Sequence, residues 1–390
     1  GYPGEGAAWL EEALRQATDV SSALRARGLA TAGYLRWVLS EHGRSRSLAS
    51  DALALFRELG DEVQVAFCLN LLGNVAMMQA RFAEAQTRFA QSVALSEQVG
   101  PPAQAATTRG NLGLVGAWRG DHARGAELLE AGIASLEELG EEWAAAYFRC
   151  CLALLYRELG ELDRAESMAR EGLRAARAVG YLQATCFGLI AVGEVAAARG
   201  ELDLAADQLE AAARETRRWG SVAAVKMAQC RLGATCVALG NHERAREVLD
   251  DALRSSARAA PNFLPGALEA VAWLVAERGA PARAAALWGG ADRLRETLRI
   301  PAWPFERTRS TMLQREFRRR LGDARWVSNW QAGQGLTEPN LIAAARAALA
   351  DLWPHGAADG ENPAPSEPVR EIAQTDGGIR YVGNSFTGSE

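Results

Sequence analysis

Three of the chain's four histidines, His42, His122 and His242, are separated by multiples of 40 residues. Neutral imidazole is a common ligand of zinc, so a regular series of histidines could hold metal ions. At the same spacing, however, other positions carry Phe82 and Leu162. This favours a half-buried packing position that tolerates several side chains. His122 and His242 would also lie three structural units apart, too far to share an ion, so we predict no metal site.

No arrangement of residues in the sequence predicts catalysis. Carboxylate pairs such as Glu11-Glu12 and Asp250-Asp251 are adjacent in the chain, and adjacent residues on a helix do not face one another. The sequence contains no GxSxG, HExxH or CxxC motif and no GxxxxGK[ST] loop that would cradle phosphates. We therefore expect a protein that is not an enzyme and that holds no cofactor.

The bulk composition of the 390 residues argues against two classes of partner. A net charge of −5 and a pI near 5.7 are unsuited to a protein whose main task is binding nucleic acid or acidic membranes. The sequence has no signal peptide and no apolar run of about 18 residues, which predicts a cytoplasmic protein. The six cysteines form no CxxC pair and are expected to pack as small apolar residues in a reducing compartment.

Two interleaved series of glycines predict the elements that position these residues. One series falls at 60, 100, 140, 180 and 220, and the other at 120, 160, 200 and 240. A constant spacing of 40 residues indicates one two-helix unit copied along the chain, with glycine ending a helix at low steric cost. We expect an all-α, right-handed superhelical solenoid of about seven helical hairpins.

Small and large side chains recur at fixed places within this unit. The first helix carries an aliphatic residue followed by a small one: Leu72-Gly73, Leu112-Gly113, Leu152-Ala153, Val192-Gly193 and Leu232-Gly233. The second helix carries a small residue and then, four residues on, a mostly bulky one, as at Ala85 and Phe89. This pattern resembles the tetratricopeptide repeat. The period is 40 instead of 34, and glycine replaces the usual closing proline.

The repeat divides the chain into three parts. Residues 1–260 are expected to form the tetratricopeptide-like array, with hairpins starting near 23, 63, 103, 143, 183 and 221, and a seventh hairpin is expected to start near 262. Residues 1–17 look like a half repeat without its first helix, which suggests a segment of a longer protein. Residues 261–353 are expected to contain the last repeat and a C-terminal helical cap. The polar, Pro- and Gly-rich residues 354–390 are expected to be a disordered tail.

Tetratricopeptide arrays usually bind their ligands along the concave side, which the first helices of the units form. Aromatic residues with a few amides and charges suit an extended peptide or a small ligand. An alternative is that several of these residues pack between the long helices. The first-helix positions expected to face this groove are Tyr34, Trp37, Phe67, Asn70, Asn74, Trp118, Tyr147, Arg157, Phe187, Glu194 and Met227.

Two C-terminal segments resemble a particular group of proteins. They are Ala284–Glu296, which contains Leu287-Trp288-Gly289-Gly290, and Leu321–Thr337, which contains Trp330-Gln331-Ala332-Gly333. Both are similar to the closing part of the helical-repeat region in bacterial STAND-type signalling ATPases, including transcriptional regulators of the LuxR family. The resemblance covers residues 1–352 and implies a sensor that restrains an upstream ATPase domain. Neither the phosphate loop nor a helix-turn-helix is found in this chain.

The leading hypothesis is a non-catalytic sensor module of such a regulator, which binds a protein, a peptide or a small inducer in its groove. The alternative is a free-standing tetratricopeptide adaptor that scaffolds protein partners. Neither hypothesis involves direct binding of nucleic acid or a membrane by this segment.

Overall fold

The computed structural model describes residues 3–16, 19–254 and 261–352, together with the backbone of residues 372–375 and 378–381. The helices of the first three ranges are α1 (Pro3–Gln16), α2 (Ser22–Val38), α3 (His42–Leu59), α4 (Glu62–Met78), α5 (Phe82–Val99), α6 (Pro102–Trp118), α7 (His122–Glu138), α8 (Glu142–Leu159), α9 (Leu162–Ala178), α10 (Leu182–Ala198), α11 (Leu202–Trp219), α12 (Val222–Ala238), α13 (His242–Arg254), α14 (Leu264–Glu277), α15 (Pro281–Leu298), α16 (Pro304–Leu321), α17 (Asp323–Gln334) and α18 (Glu338–Asp351). A short 3-10 helix spans Pro261–Phe263.

Seven consecutive helical hairpins, from α2–α3 to α14–α15, pack side by side, which confirms the predicted solenoid. Their first helices form an inner layer, and their second helices form an outer layer. Outer helices such as α9 bury a single face, with Ala165, Ala169 and Leu173 spaced four residues apart. Inner helices such as α10 are buried on most sides. None of the described helices is both long and apolar enough to cross a membrane.

The turns inside the hairpins keep one backbone geometry whether or not glycine is present. Gly160 ends α8 with a φ of 82°, in the left-handed region, and its N–H bonds to the carbonyl of Arg157. At the equivalent turns, Ser40 and Ala80 adopt φ angles of 62° and 58°. The packing of the hairpins therefore imposes this conformation even on residues that disfavour it.

The predicted pair of an aliphatic and a small residue marks where the two helices of a hairpin approach most closely. A Cβ atom added at Gly73 would lie 2.5 Å from the ring of Phe89, and one added at Gly233 would lie 2.5 Å from Leu249. The fourth hairpin has Ala153 at this position, and its partner Ala169 is small instead of bulky. The larger residue on one helix is thus opposed by a smaller one on the other, as close packing requires.

The cap is formed by α16, α17 and α18, which pack on the last hairpin. α15 and α17 meet through two glycines. A Cβ atom at Gly289 would lie 2.0 Å from the carbonyl oxygen of Trp330, and one at Gly333 would lie 1.8 Å from that of Ala286. The two segments that carry the STAND resemblance therefore contact each other, and the glycines in them are needed because the helix backbones almost touch.

The segment between α15 and α16 leaves the cap and returns to the middle of the array. Ile300 and Trp303 join the core formed by α4 to α8, and Phe305 lies beside α8. We call residues 299–306 the return segment. It covers part of the inner layer that the sequence analysis expected to be an open groove.

The predicted disordered tail, residues 354–390, lies mostly outside the described residues. Within it, β1 (Ile372–Thr375) and β2 (Gly378–Tyr381) form an antiparallel pair in which Ile372 is opposite Tyr381. The expectation of disorder is therefore corrected for these eight residues. Asp376-Gly377 joins the strands in sequence, and Asp-Gly is a strong hairpin signal. β1 lies against α10.

Candidate functional site

The inner helices from α2 to α12 enclose a cavity of about 340 Å³, which we call the groove cavity. Eight of the eleven residues predicted for the concave groove line it: Tyr34, Trp37, Phe67, Asn70, Asn74, Tyr147, Phe187 and Met227. They come from five different inner helices. The repeat therefore brings residues almost 200 positions apart to one surface, because the same face of each first helix points inward.

Aromatic rings form much of the wall of the groove cavity. Three pairs are in contact, with centroid distances of 5.7 Å for Tyr34–Trp37, 5.4 Å for Trp143–Tyr181 and 5.2 Å for Tyr147–Phe187. The last two pairs meet edge to face, which fixes the orientation of the rings. Trp143 and Tyr34 remain 47% and 40% exposed, so apolar surface is open to an incoming ligand.

The phenols in the cavity stay neutral. Burial raises the pKa of Tyr34 and of Tyr147, and burial followed by the nearby Tyr34 raises the pKa of Tyr181. Tyr34 thus approaches Tyr181 although they belong to the first and fifth hairpins. Neutral phenols retain their O–H donors, and Tyr181 donates to the Oε1 atom of Gln183 at 2.7 Å.

Carboxamides supply the remaining polar surface. Asn111 on α6 donates from Nδ2 to Oδ1 of Asn70 on α4 at 3.0 Å, which bridges two neighbouring hairpins. Gln104 and Asn74 lie on the same wall. A carboxamide carries two donors and an acceptor with two lone pairs, so these side chains keep capacity beyond their mutual contact. They match the N–H and C=O groups of an extended peptide.

Trp118, Arg157 and Glu194 do not reach the groove cavity, contrary to the sequence analysis. Trp118 stacks on Phe82 at 5.8 Å and meets the return segment at Trp303 at 5.2 Å. Arg157 and Glu194 are only 2% and 6% exposed. Their predicted exposure is wrong because the return segment, more than 100 residues later in the chain, packs over them.

Arg157 and Glu194 belong to a buried ion network. The Arg157 guanidinium pairs with both Glu158 and Glu194. Although burial opposes the charges, Glu158 and Glu194 raise the pKa of Arg157, and Arg231 and Arg157 lower the pKa of Glu194. Arg157 and Glu194 are therefore both ionised at neutral pH.

The return segment and α16 join this network. Glu158 accepts a hydrogen bond from the backbone N–H of Phe305 at 2.8 Å. Glu306 pairs with Arg231 and lies 3.6 Å from Arg295, which in turn pairs with a carboxylate of α14. Four inner helices are thereby tied to the start of the cap through charges that are removed from water.

Five aromatic residues of the groove cavity, including Phe148 and Phe263, were not among the predicted site residues. Trp143, Tyr181 and Trp219 all line the cavity. They lie near the turns that precede α8, α10 and α12, so they fall outside the middle of the inner helices. An aromatic residue recurring every 38 positions is the sequence signal that could have identified them.

The histidines and cysteines occupy packing positions. His122 is buried with its ring 5.3 Å from that of Trp303, and burial lowers the pKa of His122 and His242. The six cysteines are free thiols, five buried and Cys230 half-buried. Among the described residues, no group of three or more His, Cys, Asp or Glu side chains could hold a metal ion.

Known structures share this architecture. A Rap protein in complex with Competence and Sporulation Factor matches with a TM-score of 0.61 and 11% identity over 90% of this chain and 99% of that chain. The apo form of RapI matches with a TM-score of 0.51 and 17% identity over 64% of this chain and 87% of that chain. At such identities the similarity shows a shared fold alone.

A STAND protein with a tetratricopeptide repeat sensor from Pyrococcus horikoshii also matches, with 14% identity over 81% of this chain and 50% of that chain. Its TM-score of 0.47 is too low to support a shared function. No protein-family model matches the sequence, and no curated protein is similar to it.

Proposed function

We propose that this chain is a non-catalytic sensor that binds a peptide in the groove cavity. The observation that carries the proposal is the lining of that cavity, where aromatic rings from several hairpins face the carboxamides of Asn70, Asn74 and Asn111. Aromatic surface binds apolar side chains, while carboxamides pair with peptide groups. The similarity in fold to a Rap protein solved in complex with Competence and Sporulation Factor supports a ligand-binding role.

The proposed role in signalling follows from how the cavity is built. Its walls come from hairpins as far apart as the first and the sixth, since Tyr34 is on α2 and Met227 is on α12. A ligand that contacts both would favour one curvature of the solenoid over another. We propose that this shift is transmitted to another domain of a STAND-type regulator, such as an upstream ATPase, as the sequence resemblance at Trp288 and Trp330 implies.

The test begins by finding a ligand. The full chain is incubated with a soluble library of random heptapeptides, bound peptides are recovered and sequenced, and their affinities are measured by fluorescence anisotropy. The Trp143→Ala variant is expected to bind at least about tenfold more weakly, because truncating an aromatic contact residue typically costs about 2 kcal/mol of binding free energy. Trp143 is 47% exposed, so the variant should still fold.

Trp9→Ala is the matched control. Trp9 is 72% exposed on α1 and is not part of the groove cavity, so this variant should bind as the wild type does. The proposal fails if no peptide is recovered, or if both tryptophan variants bind recovered peptides with unchanged affinity. A sugar or nucleotide that raises Tm in the wild type but not in Trp143→Ala would point to a small inducer instead.

A further inference from the structure

A second, smaller cavity lies next to the groove cavity, beneath the return segment. We call it the capped cavity. It holds about 30 Å³ and shares Met227 and Phe263 with the groove cavity as a common wall. A space of this size accommodates about two water molecules or one carboxylate group. Five of its polar lining residues are Arg231, Asn262, Glu269, Arg295 and Arg309.

Two hydrogen-bonding side chains in this cavity have no partner in the described part of the chain. Asn262 is 4% exposed, and neither its Nδ2 nor its Oδ1 atom forms a hydrogen bond. Trp303, which also lines the cavity, has an equally unpartnered Nε1 donor. Buried polar groups are nearly always paired, and leaving one unpaired costs about 1–3 kcal/mol. These two donors therefore indicate a missing acceptor.

The charges of the capped cavity also leave a place for an anion. Its two carboxylates, Glu269 and Glu306, are paired with Arg295 and Arg231. Arg309 is a third arginine and forms no ion pair with any described residue, and its guanidinium lies 5.7 Å from the ring of Trp273. Three arginines and two glutamates line the cavity, while Glu194, which lies 3.4 Å from Arg231, is not part of the lining. A guanidinium stays protonated even when it is half-buried.

We propose that the capped cavity binds a carboxylate of the peptide whose chain occupies the groove cavity. This inference rests on the proposed function. A planar guanidinium binds a carboxylate through two parallel hydrogen bonds, and Arg309 is the group available for it. The Nδ2 of Asn262 and the Nε1 of Trp303 donate to the remaining lone pairs. Because Met227 and Phe263 border both cavities, the carboxylate site adjoins the place proposed for the peptide chain.

The carboxylate is either the C-terminus of the peptide or an Asp or Glu side chain, and both present the same chemistry. A recovered peptide is therefore synthesised with a free C-terminus, with a C-terminal amide, and with each Asp or Glu replaced by its amide. We expect one of these replacements to weaken binding to the wild type by at least about tenfold, the effect of losing a charge-assisted hydrogen bond. The replacement that has this effect identifies the carboxylate.

Variants of the cavity complete the experiment. Arg309→Gln should bind the original and the neutralised peptide with equal affinity, and Asn262→Leu should also weaken binding of the original. Arg307→Gln is the control, because Arg307 is exposed two residues earlier on the same helix and should leave the preference unchanged. If Arg309→Gln fails to fold, Asn262→Leu decides the question.

The two proposals fail in different ways. Peptides whose affinity depends on Trp143 but on none of their carboxylates would overturn the carboxylate site and leave the proposed function intact. A carboxylate preference that persists undiminished in both Arg309→Gln and Asn262→Leu would also overturn the site. Failure to recover any peptide would overturn both proposals.

Discussion

The inner layer of the solenoid has an open half and a covered half, built from the same kind of helix. In the open half, aromatic and carboxamide side chains line the groove cavity and leave apolar surface exposed. In the covered half, the return segment lies over the inner helices, and the buried ions Arg157, Glu194 and Glu306 are paired there. Tyr147 and Arg157, both on α8, show how one helix serves both halves.

The difference shows that a repeat fixes where a side chain points but not what covers it. Residues at equivalent inward positions meet either a ligand cavity or a segment from elsewhere in the chain. The degree of burial then determines which side-chain types are tolerated at these positions. A fully buried charge such as that of Arg157 needs a partner, because an unpaired ion removed from water is strongly destabilising, whereas exposed positions in the open half carry no such requirement.

Removing Arg157 should have the largest effect on stability. It tests whether paired charges hold the covered half together. Arg157→Ala leaves the buried carboxylates of Glu158 and Glu194 without their shared guanidinium. We expect the free energy of unfolding to fall by about 3 kcal/mol or more, as when one partner of a buried ion pair is deleted. Chemical denaturation followed by circular dichroism measures this change.

The control for that experiment is an ion pair in water. Arg124 pairs with Glu127 on the outer helix α7, and both side chains are 63% exposed. Arg124→Ala should change stability by less than about 1 kcal/mol, because surface pairs contribute little. Similar losses for the two variants would mean that the covered half is not held by its charges.

Sequence periodicity predicts the scaffold well because each hairpin repeats the same local contacts. The glycine turns and the Leu-Gly steps located every hairpin to within two residues of its start. Eight of eleven groove residues were placed on one cavity for the same reason. Arg157 and Glu194 were misplaced because their cover, at Phe305 and Glu306, is supplied by non-local packing. No local pattern in the repeats encodes where the return segment lands.

A pair of glycines on α6 tests the packing that both halves share. A Cβ atom at Gly113 would lie 2.8 Å from the backbone oxygen of Gly125, whereas one at Gly116 would meet nothing within 4 Å. Gly113→Ala should lower the free energy of unfolding by about 1–3 kcal/mol, the usual range for overpacking. Gly116→Ala should raise it by about 0.5–1 kcal/mol, because alanine is the better helix former.

The two α6 variants change sites about one helical turn apart, and both add the same methyl group. Thermal and chemical denaturation of both, side by side, separates helix propensity from packing. A gain in stability for Gly113→Ala would mean that the hairpins can move apart at no cost, and the shared rigid scaffold assumed in the comparison would then be wrong.

The smallest expected effect on stability concerns two half-buried aspartates, Asp292 on α15 and Asp250 on α13, which are held by different partners. Asp292 on α15 accepts a hydrogen bond from Nε1 of Trp330 at 3.1 Å instead of pairing with an arginine. Burial raises its pKa to about 6. Asp250 on α13 lies between Arg346 and Arg254; although burial opposes the shift, these arginines lower its pKa. The two aspartates should therefore respond to pH with opposite sign.

Since the folded-state pKa of Asp292 is raised, its protonated form stabilises the fold below about pH 4, and this contribution is lost as the pH rises through 6. Asp292→Asn keeps an acceptor for Trp330 without the charge, so at pH 7 it should be more stable than the wild type by roughly 1 kcal/mol. That difference should shrink as the pH falls to 4.

Asp250→Asn should be less stable than the wild type at pH 7, and its deficit should vanish as the pH falls through the lowered pKa of Asp250. Denaturation curves at pH 7, at pH 4 and at a pH below the lowered pKa of Asp250 decide the matter, and a parallel response of the two variants would contradict the assignment of Asp292 as the carboxylate held without a cation.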